Sequence, residues 1–324
     1  MKKVVVYRPA PEGLIADLRR DFDVTWMPEV ATAQDPAFRA AVAGADGLIG
    51  ASLKLDKALL DSAPNLKVIA SVSVGVDNYD LADLTARGVA LTNTPDVLTE
   101  TTADAAFLLV LMACRRALEL AEYIKEGRWT RSLETEFFGM DVHGKKLGVL
   151  GMGRIGAAVA RRGKFGFGME IAYTARSTHS DVEAELGARR LPMDALLEWA
   201  DIVVCTVPLG PETIHLIGAR EFELMGPRCV FVNASRGKVV DEAALAEALA
   251  GGVIRAAGLD VFETEPLAVT SPLLQLKNAV CLPHIGSATH ETREAMVRCA
   301  AGNLTAALRG ERPPNLVNEG VWGP

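Results

Sequence analysis

The sequence has no Cys-x-x-Cys pair, no His-Glu-x-x-His, no Gly-x-Ser-x-Gly, no block of basic residues and no long apolar segment. Each absence removes a class of function. The five cysteines in 324 residues (Cys114, Cys205, Cys229, Cys281 and Cys299) are scattered, most of them among apolar neighbours. That usage fits buried thiols in a reducing compartment better than a disulfide framework. Without metal-ligand spacing or a nucleophile turn, neither a metal site nor a serine hydrolase is expected. A net charge of −7 with no basic block argues against a nucleic-acid partner. It leaves an anionic substrate open, because a site needs only a few local cations and backbone N–H groups. The longest strongly apolar run, AAFLLVLMAC at 105–114, is ten residues, too short to span a bilayer. The opening MKKVVVYRPAPEGL has only a short apolar stretch before Arg8 and Pro9, which predicts a first strand rather than a signal peptide. The expectation is a cytoplasmic chain with no membrane and no nucleic-acid partner.

What is present is an ordinary globular composition, 49% hydrophobic and 23% charged, enough for two domains or one large α/β unit. Residues 2–7, 22–27, 46–50 and 66–72 read as strands, and PEGLIADLRR, PAFRAAVAG, DKALLDSA and YDLADLTARG as the helices among them. This alternation implies a parallel sheet covered by helices. From Lys146 the rhythm restarts with six further strand candidates: KLGVLG, EIAYTA, DIVVCTV, CVFVNAS, RAAGLDV and NAVCLPH. From Thr99 a long helix, apolar nearly all round, is predicted to be buried. A last helix over 289–310 has nothing of its own to pack on and is expected to return to the first sheet. The predicted fold class is therefore α/β, with two Rossmann-like, doubly wound parallel-sheet domains. A discontinuous substrate domain, 1–100 and 288–324, holds an inserted nucleotide-binding domain, 101–287, that includes the long linking helix.

The inserted domain opens on VLGMGRIGAAVA (149–160), in which Gly151, Gly153 and Gly156 fit G-x-G-x-x-G. With 29 glycines in the chain, about 0.2 such matches are expected by chance, so the context decides. A strand precedes the motif, a helix follows it, and a second strand, EIAYTA, comes about 20 residues on. Gly151 permits the tight turn, Gly153 lets the pyrophosphate approach the backbone, and Gly156 lets helix and strand pack closely. The second strand ends in Ala175, Arg176, Ser177 and Thr178. An NAD site usually has a carboxylate there for the ribose 2′-hydroxyl, whereas a guanidinium and hydroxyls suit a 2′-phosphate. NADP is the expected cofactor.

SVGVDNYDL, TPDVLTETTAD, NASRGKVVDEAAL (233–245), AAGLDVFETEPL (256–267) and LPHIGSAT (282–289) are long, ordered motifs. Through them the chain resembles the D-isomer-specific 2-hydroxyacid dehydrogenases, and within that family most closely the glyoxylate/hydroxypyruvate reductases, some of which also reduce 2-ketogluconate. The resemblance is dense from about residue 45 to 312. It implies catalytic roles for Arg236, Glu265 and His284, with Val74 and Gly75 joining Arg236 and His284 in substrate binding. For the cofactor it adds Arg154, Ile155, Pro208, Thr213, Ala234, Asp260, His284 and Gly286 to the glycines and the 176–178 loop. It also implies a homodimer joined largely through the nucleotide domains.

The implied chemistry is sensible for these side chains. Reducing a 2-oxo acid needs a hydride at C2, a proton for the carbonyl oxygen, and a cation to hold and polarise the substrate. Histidine ordinarily titrates near neutrality and suits the acid; Glu265 would orient the ring and favour its protonated form. The planar fork of Arg236 can hold carboxylate and carbonyl oxygens. SVSVGVDNYD is expected to end a strand and open a helix at Gly75, with the N–H groups of Val74 and Gly75 facing a carboxylate. Leu53, Lys54, Phe137 and Phe138 are candidates for reading the rest of the substrate, the two phenylalanines serving equally well as dimer packing. NADPH-dependent reduction of glyoxylate, hydroxypyruvate and 2-ketogluconate is the expected activity. A phosphoglycerate dehydrogenase and a nucleotide-sensing corepressor stay open as alternatives.

Overall fold

The structure, a computed structural model, describes residues 1–323. The chain separates into two compact units, Met1–Leu98 together with the chain from Thr289 onward, and Thr99–Ala288. Each is a parallel α/β sheet, as the alternating pattern predicts.

The first unit carries β1 (Lys3–Val6), α1 (Glu12–Asp21), β2 (Asp23–Trp26), α2 (Pro36–Ala43), β3 (Gly47–Gly50), α3 (Lys57–Asp61), β4 (Val68–Ser71), α4 (Leu81–Ala86) and β5 (Ala90–Thr92). The strand order is β2-β1-β3-β4-β5, all parallel. Strands β1, β3 and β4 are buried along nearly their whole length, which is why they read as continuous Val/Ile/Leu runs without alternation. Three aspartates stop the loops and start the helices. Asp35, Asp56 and Asp80 accept from the first-turn N–H groups of α2, α3 and α4, each cap worth about 1 kcal/mol.

The last helix of the chain lies on this same sheet. In chain order it is the twelfth, after those of the second unit: α5 (Thr99–Arg115), α6 (Ala117–Lys125), α7 (Arg154–Arg161), α8 (Ser180–Leu186), α9 (Met193–Trp199), α10 (Ala219–Met225), α11 (Glu242–Ala250), then α12 (His290–Arg309). Met296, Val297, Ala300, Ala301, Leu304 and Leu308 of α12 are buried, and Asn303 donates to the Asn93 carbonyl at 3.0 Å.

The second unit has seven parallel strands: β6 (Lys146–Leu150), β7 (Glu170–Thr174), β8 (Arg189–Arg190), β9 (Ile202–Cys205), β10 (Val230–Asn233), β11 (Ala256–Leu259) and β12 (Ala279–Cys281). Their order is β12-β11-β10-β9-β6-β7-β8. The chain winds outward from β6 through β7 and β8, then returns to lay β9 to β12 on the other side. The direction switches between β6 and β9, the place where a doubly wound sheet opens a crevice at its carboxyl edge.

Three expectations need correction. The apolar helix from Thr99 is two helices. Arg116, with φ +54°, breaks it, and α6 buries none of its residues whereas α5 buries nine. Val74 and Gly75 do not open a helix: β4 ends at Ser71 and α4 begins only at Leu81, with a run of bends and turns between. Strands β5 and β8 are additional to the expected set; at three and two residues they carry no readable period. All five cysteines are free thiols. Among the described residues no helix is long and apolar enough to cross a membrane, and no group of His, Cys, Asp and Glu is placed to hold a metal.

Candidate active site

The glycine turn sits at the switch point. Gly151 has φ +91°, a left-handed conformation that disfavours any side chain, and a Cβ there would lie 3.0 Å from the Val207 nitrogen. A Cβ on Gly156 would lie 2.1 Å from the Gly151 carbonyl oxygen, so α7 can approach β6 this closely only with glycine in its first turn. Gly153 is the N-cap of α7, and nothing lies within 4 Å of where its side chain would be. The first N–H groups of α7, at Arg154 and Ile155, have no carbonyl within the helix to bind. Thr206, after β9, donates to the Gly151 carbonyl at 2.7 Å and pins the turn; the sequence reading did not single it out. An open cradle at a helix N-terminus fits a pyrophosphate.

At the end of β7 the loop 175–178 carries no carboxylate. Arg176, Ser177 and Thr178 are all exposed. A second arginine holds this loop: Arg190 on β8, whose strand pairs with β7 through Tyr173↔Arg190. Its Nη2 donates to the Ala175 and Arg176 carbonyls at 2.8 and 3.1 Å, its Nε to Ala175 at 3.2 Å, and its Nη1 to Thr178 Oγ1 at 3.4 Å. On the other side of the switch, Thr213 Oγ1 donates to the Pro208 carbonyl and accepts from the Gly210 N–H, both at 2.8 Å. Pro208 and Thr213 are thus brought together, and the threonine hydroxyl is committed to its own turn.

Arg236, Glu265 and His284 leave the carboxyl ends of three adjacent strands, β10, β11 and β12. After β10, the buried Asn233 accepts from the Ser235 N–H and hydroxyl at 3.0 and 2.7 Å and donates to the Arg236 carbonyl at 3.0 Å. This side-chain brace gives the Ala234–Arg236 segment one shape. Arg236 Nη1 donates to the Ser235 carbonyl at 2.9 Å. After β11, Glu265 accepts from the Phe262 N–H at 3.1 Å and from His284 Nδ1 at 2.7 Å. Burial pushes the Glu265 carboxyl up, but the bond from His284, the Phe262 N–H and nearby Arg236 outweigh it and hold the group below the usual range. An ionised carboxylate only accepts, so the ring proton sits on Nδ1 toward Glu265 and Nε2 remains for other chemistry. The pair is half-exposed.

Two further braces escaped the sequence reading. His284 has φ +54°, which costs a non-glycine residue about 1–3 kcal/mol. The conformation is held by Asp260, 3% exposed, whose two oxygens accept from the Ile285 and Gly286 N–H groups at 2.7 and 2.8 Å. Asp260 and Gly286 are thus joined to each other. Burial pushes the Asp260 carboxyl above its usual range, and the two N–H donors and His284 only partly offset this. Upstream of Glu265, Glu263 and Glu242 exchange backbone-to-carboxylate bonds at 3.0 and 3.1 Å, and His215 Nε2 lies 2.9 Å from Glu263.

In the first unit, Val74 and Gly75 lie in the loop after β4, half-buried. The loop is fixed from outside: Asn93 donates to the Val74 carbonyl at 2.9 Å and Thr94 N–H to the Ser73 carbonyl at 2.9 Å. Asn78 ties it to Leu53 at 3.2 Å. In the second unit Phe137 packs on Tyr123, centroids 4.9 Å apart, while Phe138 is exposed.

Comparison with known proteins gives the family. Residues 107–286 match the family model described as D-isomer specific 2-hydroxyacid dehydrogenase, NAD binding domain. The chain is 51% identical over 315 residues to glyoxylate/hydroxypyruvate reductase B of Cronobacter sakazakii, covering 97% of each. It superimposes with TM-score 0.87 on the NADPH-dependent glyoxylate/hydroxypyruvate reductase of Sinorhizobium meliloti in complex with NADP and malonate, at 33% identity, covering 100% of this chain and 98% of that one. The D-lactate dehydrogenase of Aquifex aeolicus, complexed with NAD and lactic acid, matches at 27% identity and TM-score 0.86, covering 99% of each.

Proposed function

The chain belongs to the D-isomer-specific 2-hydroxyacid dehydrogenase family, NAD(P)-dependent oxidoreductases, and from that premise we propose that it reduces glyoxylate to glycolate and hydroxypyruvate to D-glycerate with NADPH, with 2-ketogluconate as a third substrate. The observation that carries the reading is the 2.7 Å Glu265–His284 bond on strand ends adjoining that of Arg236. Relatives named for this activity, one of them with NADP bound, support the substrate and cofactor.

NADPH, when bound, supplies the hydride that adds to C2 of the oxo acid. His284 gives its Nε2 proton to the carbonyl oxygen as that oxygen gains charge. Glu265 takes no proton; it fixes the ring and stabilises the imidazolium before transfer. Arg236 presents its fork to the carboxylate and carbonyl oxygens, and the N–H groups of Val74 and Gly75 receive the carboxylate. The unit Thr99–Ala288 holds the cofactor: the 151–156 turn and the N–H groups of Arg154 and Ile155 take the pyrophosphate. Arg176, Ser177 and Thr178 take the 2′-phosphate, and Pro208 and Thr213 lie toward the adenosine. Ala234, Asp260 and Gly286 shape the nicotinamide end. The other unit contributes Val74 and Gly75.

The working form is a homodimer in the cytoplasm. Large apolar side chains left exposed between residues 118 and 138 (Leu118, Ile124, Trp129, Leu133 and Phe138) support a second copy covering that segment. A kcat/KM panel with NADPH over glyoxylate, hydroxypyruvate, 2-ketogluconate, pyruvate and branched 2-oxo acids tests the substrate. Glyoxylate and hydroxypyruvate should lead. A bulky branched acid ahead of both by about tenfold or more would overturn the assignment.

A further inference from the structure

The loop that follows β7 owes its shape to a residue outside it. All four bonds from the Arg190 guanidinium go to the 175–178 loop, and three of them end on the backbone carbonyls of Ala175 and Arg176. Every acceptor is uncharged, so these bonds leave the cation unneutralised. Guanidinium has five N–H donors, and these bonds use four of them, the weakest being that to Thr178 Oγ1 at 3.4 Å. One Nη1 donor is left over beside the Thr178 hydroxyl. On the opposite flank Tyr173 Oη donates to Glu183 at 2.8 Å and accepts from the His179 N–H at 2.9 Å, which fixes where the loop ends and occupies that carboxylate. The exposed loop is therefore held at both ends, with a fixed fork under it.

We propose that Arg190 is a positioning residue for cofactor choice: it holds Arg176, Ser177 and Thr178 in the arrangement that receives a ribose 2′-phosphate, and turns its remaining N–H toward the same phosphate. The inference rests on the NADPH reading above and adds a residue to it. An unrestrained Arg176 would have to be ordered at the moment of binding, at a cost in side-chain and loop entropy that a pre-formed loop avoids. Arg189, its neighbour on β8, does something different. Its guanidinium carbon lies 5.3 Å from the Trp199 ring centroid. It therefore controls for net charge.

The test is calorimetric titration of NADP+ and NAD+ into the full chain and into Arg190→Ala, Arg190→Lys and Arg189→Ala. Arg190→Ala should weaken NADP+ about tenfold or more while NAD+ changes less than about threefold. Arg190→Lys keeps the charge but not the fork, and should remain at least about threefold weaker than the parent for NADP+. Arg189→Ala should stay within about twofold for both. Equal losses for both cofactors in Arg190→Ala would mark a merely structural role and overturn the proposal. So would an unchanged NADP+ affinity, or an Arg189→Ala effect matching that of Arg190→Ala. If Arg190→Ala does not fold, the Arg190→Lys ratio of NADP+ to NAD+ affinity decides alone. A parent protein that binds NAD+ more tightly than NADP+ would sink the NADPH reading itself, and that result is read separately from the shift in ratio.

Discussion

His284 Nδ1 and Glu265 Oε2 lie 2.7 Å apart, joined from the ends of neighbouring strands β12 and β11. The bond occupies Nδ1 and leaves Nε2 for the proposed proton transfer, so its loss should damage the chemical step more than binding. Glu265→Gln keeps an acceptor oxygen but no charge, and is expected to lower kcat by about 10–100-fold with KM for NADPH within about twofold. Single-turnover reduction checks the cause, because a loss confined to the chemical step appears there and not in NADPH binding. An unchanged single-turnover rate would remove Glu265 from that role.

Arg236 is held by the Asn233 brace and presents a planar fork. Arg236→Lys keeps the charge and loses the bidentate geometry. It should lower kcat/KM for glyoxylate by about 10²–10³-fold, with cofactor affinity little changed. Asn233→Ala, which touches no proposed substrate group, should reproduce part of that loss through KM. Steady-state kinetics of the two variants together test whether the brace acts through Arg236.

The depressed Glu265 carboxyl has a consequence for stability. Its folded-state pKa lies below that of an unfolded glutamate, so its contribution is fully present above the unfolded value of about 4.3. The contribution is lost as pH falls through the folded value. Asp260 runs the opposite way: its carboxyl is raised by burial, so the stability linked to it falls as pH rises through its folded pKa. Thermal melts between pH 3 and 6 should show Glu265→Gln with a flatter acid limb than the parent. An identical limb would contradict the assignment.

Much of this is legible along the chain, and most of what is not shares one physical cause. The 151–156 glycines announce themselves because turn, cradle and close packing are all local demands met within six residues. The split of the chain is legible because the pattern over 289–310 is a lone amphipathic helix with no sheet beside it in sequence. The braces are not legible in the same way. Asp260 meets Ile285 and Gly286 across 25 and 26 residues, and Arg190 reaches back 14 to 15 residues to carbonyls of the 175–176 backbone. Backbone acceptors leave no mark in the sequence, so Asp260 could be named only by resemblance and Arg190 not at all. The break at Arg116 has no local signal either, since arginine favours helix.

The exposed apolar side chains of α6 and the segment after it give a test of assembly. Light scattering at micromolar concentration should report twice the chain mass. Leu118→Glu with Ile124→Glu, both on α6, which buries none of its own residues, should shift the mass toward one chain. A fully active parent at single-chain mass would contradict the dimer.

The most direct test of the whole account follows NADPH oxidation on hydroxypyruvate, with product chirality assigned, for the parent protein and His284→Ala side by side. The parent should give D-glycerate, and the variant a rate about 10²–10⁴-fold lower with NADP+ affinity unchanged. No NADPH oxidation by the parent with hydroxypyruvate or glyoxylate, or near-parental turnover in His284→Ala, would contradict it.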